Sequence, residues 1–128
     1  MSNIPADFSY TAEHEWVSVP DQDGVVRVGI TDFAQDALGD VVYVQVPEAG
    51  SAVTANEVIG EVESTKSVSD IYAPLSGEVV SRNDGLDSDP ALINSDPYGE
   101  GWLLEIKLSD ASTHETLLSA AEYEQQVG

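Results

Sequence analysis

Lysine is scarce in this chain of 128 residues, and one of its two lysines stands in a setting suited to covalent chemistry. Lys66 lies between Thr65 and Ser67, two small polar residues, in a segment that reads as a β-hairpin. A carrier arm needs an amine that projects from a rigid turn, with no bulky neighbour to block a modifying enzyme. Acylating that amine would remove its charge and make the formal net charge one unit more negative than its value of -20. A solvated turn lysine has the same neighbours, so spacing by itself leaves both readings open.

Other chemical patterns are incomplete. His114-Glu115-Thr116-Leu117-Leu118 begins like a zinc-protease helix but has Leu118 where the second histidine belongs. His14 and His114 are the only histidines, which makes a histidine-rich metal site a poor reading and casts His14 as a packed or hydrogen-bonded side chain. Asp21-Gln22-Asp23-Gly24 resembles part of a calcium loop, but Val19 occupies the place of its first aspartate. Asp84–Asp89 reads as a solvated acidic loop rather than a cation site. No serine sits in a Gly-x-Ser-x-Gly elbow, and no phosphate-binding glycine loop is present.

The elements that must position Lys66 are mostly strands. Glu15–Val19 and Val25–Ile30 flank a Pro-Asp-Gln-Asp-Gly turn and predict a hairpin. Thr31 can cap a short helix over Asp32–Leu38, with Asp32 at its positive end and Gly39 as its stop. Val41–Val46 is rich in β-branched residues and predicts a buried strand closed by Pro47. Glu57–Asp70 predicts the second hairpin, with Val62 opposite Val68 on one face and Ser64-Thr65-Lys66 at the turn. Strands follow at Gly77–Arg82 and Trp102–Leu108. Between them the Asp-, Pro-, Gly- and Asn-rich stretch 83–101 predicts a loop with one helical turn at Pro90–Asn94. Ser119 and Glu122 have capping-box spacing ahead of a helix at Tyr123–Val127. Val46–Val53 and Ala73–Val80 share the pattern apolar-Pro-x-small-Gly-x-x-Val. Two such halves around the Lys66 hairpin suggest a quasi-symmetric β sandwich.

Length suggests one domain over 1–128, with a core at about 10–108 and a C-terminal helical segment at about 117–127. Twenty-four acidic side chains face four basic ones: Arg27, Lys66, Arg82 and Lys107. So acidic a chain repels phosphate backbones and anionic lipid, which argues against nucleic-acid and membrane binding. Adaptation to high salt is one reading of that surplus, since the Debye length shrinks to about 3 Å at 1 M. There is no cysteine, so disulfides, thiolate metal sites and a thiol nucleophile are excluded. Met1–Phe8 shows no basic, apolar leader pattern, and the expectation is a soluble cytoplasmic protein, by default a monomer.

Several blocks resemble the H proteins of the glycine cleavage system. Tyr10-Thr11-x-Glu13-His14-Glu15-Trp16-Val17 is similar to the family's opening signature, and Gly29–Asp40 to its second block. Val62-Glu63-Ser64-x-Lys66-x-x-Ser69-Asp70-Ile71-Tyr72-Ala73-Pro74 is similar to its lipoylation segment. Ser76–Val80, Asn94–Trp102 and Leu118–Tyr123 complete the set in order. Thr65 and Ser67 are more polar than the family's usual neighbours of the lysine.

This resemblance implies an all-β fold with short helices, a barrel-sandwich hybrid of the lipoyl- and biotinyl-carrier type. It implies lipoate in amide linkage to Lys66. Glu63 and Gly77, three before and eleven after Lys66, match positions that lipoate-attaching enzymes read in carrier domains. Glu15 and Asp70 match carboxylates lining the groove where the loaded arm rests, and a carboxylate can hold the arm's cationic amine by a charge-assisted hydrogen bond. The implied role is that of a carrier, not an enzyme. It would take an aminomethyl group from glycine decarboxylase to aminomethyltransferase, and then present its arm to dihydrolipoyl dehydrogenase. Tethering raises the effective concentration of the intermediate at each partner. Rival readings are a lipoyl relay protein donating lipoate to other carriers, a 2-oxoacid-dehydrogenase lipoyl domain, and a biotin carrier, whose lysine usually has methionine neighbours. A metal-dependent hydrolase lacks ligand sets.

Overall fold

The computed structural model describes residues 4–127; Met1–Asn3, the first part of the Met1–Phe8 stretch expected to lack a leader pattern, and Gly128 lie outside that range. Among the described residues, nine strands form two antiparallel sheets, neither of them closed. The larger sheet takes β1 (Ser9–Tyr10), β2 (Glu15–Val17), β3 (Val25–Ile30), β9 (Leu104–Leu108), β8 (Gly77–Arg82) and β5 (Ala52–Val53), in that spatial order. The smaller has β6 (Val58–Ser64) between β4 (Val41–Gln45) and β7 (Val68–Tyr72). Helix α1 (Asp32–Leu38) joins β3 to β4, so it carries the chain from the larger sheet to the smaller.

Between the sheets, Val28, Val62, Ile71, Val79, Leu104 and Ile106 are among the side chains that form the main core. Full burial of one such side chain contributes about 1.5–3 kcal/mol. A second, aromatic cluster holds Tyr10, Trp16 and Tyr123, with Phe8 stacked on Trp16 at 4.7 Å and Tyr10 on Tyr123 at 4.8 Å. Through Tyr123, helix α4 (Ala120–Val127) is fastened onto β1 and β2. Its capping box forms as the sequence predicts: Ser119 N–H donates to Glu122 Oε1 (2.9 Å) and Glu122 N–H to Ser119 Oγ (3.2 Å). The helix starts at Ala120, a turn earlier than the expected Tyr123.

The helix at Asp32–Leu38 also forms as expected, with Thr31 Oγ1 accepting from Ala34 N–H at 3.2 Å. Three expectations are corrected. Val62 pairs with Ser69, and Val68 with Glu63. Val62 is therefore buried while Val68 is 58% exposed. The cause is a tip of two residues, Thr65-Lys66, instead of three, which moves the register by one and turns Val68 to the other face. The strand at Val41–Gln45 is not buried throughout. It lies on a sheet edge, and an irregularity between Val41 and Tyr43 turns both Val42 and Tyr43 outward. The stretch 83–101 contains two single-turn helices, α2 (Gly85–Ser88) and α3 (Leu92–Ser95), anchored by buried Leu86 and Ile93.

The internal repeat has a direct structural consequence. Its copies run antiparallel side by side, with Ala52 opposite Glu78 and Val53 opposite Gly77. Both strands lie in the larger sheet, and the two sheets are unequal, six strands against three, so the symmetry the repeat suggested is only local.

Candidate functional site

The Lys66 tip is closed by one serine. Ser64 N–H donates to the Ser67 carbonyl (2.8 Å), while Ser64 Oγ accepts from Ser67 N–H (3.0 Å) and from Lys66 N–H (3.3 Å). The side chain thus stands in for a backbone acceptor in the turn. One further bond ties the tip to the body of the protein: Thr65 N–H donates to the Asp40 carbonyl at 3.0 Å. Beside it, Gly39 ends α1 with φ +86°, where glycine is favoured. A Cβ on Gly39 would stand 3.3 Å from Lys66 Cε and 3.7 Å from Cδ, so the lysine stem rests over this glycine. The Lys66 residue is exposed, and among the described residues its amine has no ion-pair partner.

From the hairpin a groove of ≈ 360 Å³ runs between β7 and α1. Phe33, Ala37 and Val68 give it apolar walls, and Glu13, Glu15 and Asp70 add carboxyl groups. Asp70 is exposed. Glu15 is 2% exposed. Glu15 Oε2 accepts from Tyr72 N–H (2.7 Å) and Oε1 from the Thr11 hydroxyl (3.2 Å). Burial pushes the Glu15 carboxyl up to about 8, against those two hydrogen bonds, which favour the ionised form. A carboxyl shifted to about 8 is mostly protonated at pH 7.

His14 gives the groove part of its floor. It has the left-handed φ of +67°, packs at a tilt against Phe33 with ring centroids 4.8 Å apart and places Nδ1 2.8 Å from Tyr123 Oη. The same phenol oxygen lies 2.8 Å from Thr31 Oγ1. One hydroxyl from α4 thus links the groove to the cap of α1. Burial lowers the His14 imidazole below its ordinary value, so it is neutral at pH 7. The packed role expected of His14 is what the geometry gives it. Its partner Tyr123 is distant in sequence, and no local pattern points to the pair.

The predicted site residues divide between the sheets. Glu15 and Asp70 line the groove, Lys66 stands at the tip beside the lining residue Ser67, and Glu63 faces Val68 one pair below the tip. Gly77 is on the larger sheet, where β8 meets β9. A Cβ there would drive into the Lys107 carbonyl oxygen and meet Ile106 Cγ2 at 2.8 Å. Close backbone approach is thus sufficient physical cause for a glycine. Arg27 pairs with Glu105 (3.2 Å) and lies over Trp102, and Arg82 pairs with Asp84 and Asp87, all away from the groove.

Comparison with known proteins decides what this arrangement belongs to. The family described as Glycine cleavage H-protein matches residues 8–128. The chain belongs to the glycine cleavage H-protein family. It is 61% identical to a glycine cleavage system H protein of Micrococcus luteus over 123 residues, 96% of either chain. It is 62% identical to that of Mycobacterium avium over 120 residues, 94% of this chain and 90% of the other. A crystal structure of a glycine cleavage system H protein from Mycobacterium marinum superposes with a TM-score of 0.89 at 51% identity, covering 98% and 99% of the two chains. The lipoyl-carrier shuttle role in glycine cleavage follows from the family, as does partnership with that system's enzymes. H proteins are carriers, and the match over nearly the whole chain sets the biotin-carrier and 2-oxoacid-dehydrogenase readings aside. Among the described residues, no helix is long and apolar enough to cross a membrane.

Proposed function

We propose that Lys66 bears lipoate in an amide bond and carries an aminomethyl unit from glycine decarboxylase to aminomethyltransferase, then presents the arm to dihydrolipoyl dehydrogenase. The carrying observation is an exposed lysine on a two-residue tip whose hairpin also walls a groove containing a buried carboxyl group. These residues suit the group: the tip leaves the amine open to an attaching enzyme, and the groove offers apolar walls beside acidic ones. When bound, lipoate supplies the sulfur chemistry, and the protein contributes placement and electrostatics.

Glu15 is the residue we assign to the cationic amine of the loaded arm. Its raised affinity for a proton is a consequence of burial without a cation, and an ammonium group would displace that proton and restore the carboxylate. Holding the arm therefore releases a proton and strengthens as pH rises toward about 8. Asp70, at the exposed rim, adds a weaker long-range attraction. Glu63 is the contact we assign to the lipoate-attaching enzyme, and Gly77 serves it by keeping β8 and β9 in close register. The protein acts as a single-domain cytoplasmic monomer without catalytic residues of its own.

Intact mass and peptide mapping after incubation with a lipoate-attaching enzyme and lipoate test the assignment. One lipoyl gain on the Lys66 peptide is expected, and none in Lys66→Arg. A gain on Lys107 overturns the site, and reconstitution with the three glycine-cleavage enzymes tests the shuttle.

A further inference from the structure

The loop after β8 returns to the Lys66 end of the molecule at Asn94, in α3. The Asn94 side chain spends its polar atoms chiefly on one corner of the chain. Nδ2 donates to the Gly39 carbonyl (2.8 Å) and to Gln35 Oε1 (3.0 Å), and Oδ1 accepts from Val41 N–H (2.8 Å). Gly39 and Val41 bracket Asp40, whose carbonyl receives Thr65 N–H from the Lys66 tip. Gly39 is also the surface under the Lys66 stem. With φ +86° and ψ -161°, Gly39 follows neither α1 nor β4, so the direction of this corner is set by the bonds made to it.

We propose that Asn94 is a positioning residue for the Lys66 arm. It locks the Gly39-Asp40-Val41 corner, and the corner aims the tip through the Asp40–Thr65 bond and the contact with the lysine stem. The inference rests on Lys66 being the lipoyl acceptor. Every step is a hydrogen bond or a van der Waals contact, and Asn94 uses both donors and one acceptor in it. Without the lock, the tip would sample more directions, and an attaching enzyme would find fewer molecules with the lysine correctly presented. The apparent KM for the carrier rises by the inverse of that fraction, while kcat is unchanged.

The test uses the full chain with Asn94→Ala, which removes all three bonds, and Asn94→Asp, which keeps size and acceptor but loses both donors. Val79→Ala, in the core of the larger sheet, supplies a loss of stability elsewhere. Amide exchange at Thr65 is read against Ser64, whose N–H is bonded inside the hairpin. Attachment is read with lipoyl-adenylate: an amide forms between Lys66 Nζ and the lipoyl carbonyl, AMP leaves, and the amine proton passes to buffer. Both Asn94 variants are expected to exchange Thr65 roughly tenfold faster with Ser64 unchanged, and to raise KM about five- to tenfold at constant kcat. Val79→Ala should lower Tm alone. Asn94 variants with wild-type Thr65 exchange and KM overturn the inference, as does Val79→Ala reproducing both changes. A wild type unlabelled at Lys66 overturns the acceptor reading instead, and Thr65 exchange then still decides whether Asn94 holds the tip.

Discussion

The tip around Lys66 and the pocket around Glu15 border the same groove, yet they place their charged groups in opposite surroundings. Lys66 stands in solvent on a hairpin closed by its own serine. Glu15 is buried, with both oxygens engaged, and holds its proton to about pH 8. The proposed modification site must be reached by another protein, and the proposed holding site must exclude water. The two demands are met by separate elements: a protruding hairpin of the smaller sheet, and a short strand of the larger one packed beneath β7.

The largest effect belongs to the tip. Lys66→Arg should abolish lipoyl attachment completely while changing the unfolding free energy by no more than the roughly 0.5 kcal/mol usual for a surface substitution. Loss of fold in that variant would break the view of the tip as separate from the frame.

Glu15→Gln addresses the pocket. For the loaded protein, loss of a charge-assisted hydrogen bond worth about 1.5–3 kcal/mol should expose the arm's amine roughly ten- to a hundredfold more often, read by hydrolysis of the loaded arm. In the unmodified protein the signature is a pH slope. Glu15 has a folded pKa raised above its unfolded value of 4.5, so the folded state binds more protons between those values. Its contribution to stability is complete below 4.5 and is lost as pH rises through about 8. Between pH 6.5 and 8, wild-type stability should fall relative to that of Glu15→Gln by at most about 1.4 kcal/mol per unit, a difference in which the contribution of His14 cancels. Equal slopes in urea titrations would remove Glu15 from the pocket's electrostatics.

Tyr123→Phe should come next. It leaves His14 Nδ1 and Thr31 Oγ1 without their shared hydroxyl, at a cost of about 1–3 kcal/mol in urea unfolding. A loss of arm protection smaller than that of Glu15→Gln should accompany it, because His14 borders the groove. Asp70→Asn is the smallest. An exposed carboxylate contributes about 0–1 kcal/mol, so arm holding should change several-fold at most. If Asp70→Asn outweighs Glu15→Gln, the contrast between rim and pocket is wrong.

Much of this was legible from local rules. The cap at Thr31, the stop at Gly39, the capping box at Ser119 and Glu122 and the hairpin bearing Lys66 all depend on residues a few positions apart. Register was less accessible. Whether two or three residues form the Lys66 tip depends on Ser64 Oγ accepting from two backbone N–H groups, and both lengths suit the same alternation of side chains. The edge position of β4 was hidden for a related reason, since β-branched residues mark a strand without saying how many of its sides are covered.

By itself the sequence determined the strand-rich pattern, the scarcity of cations, the one hairpin lysine with small neighbours, and the family. Only the tertiary structure decided the rest. It brought Glu15 from the larger sheet to the groove beside Lys66, put Tyr123 between His14 and Thr31, and set Asn94 against the corner that carries the tip. The physical reason is common to all three. Burial that raises a carboxyl pKa, and hydrogen bonds that aim a turn, arise between residues far apart in the chain, and packing alone brings them within reach.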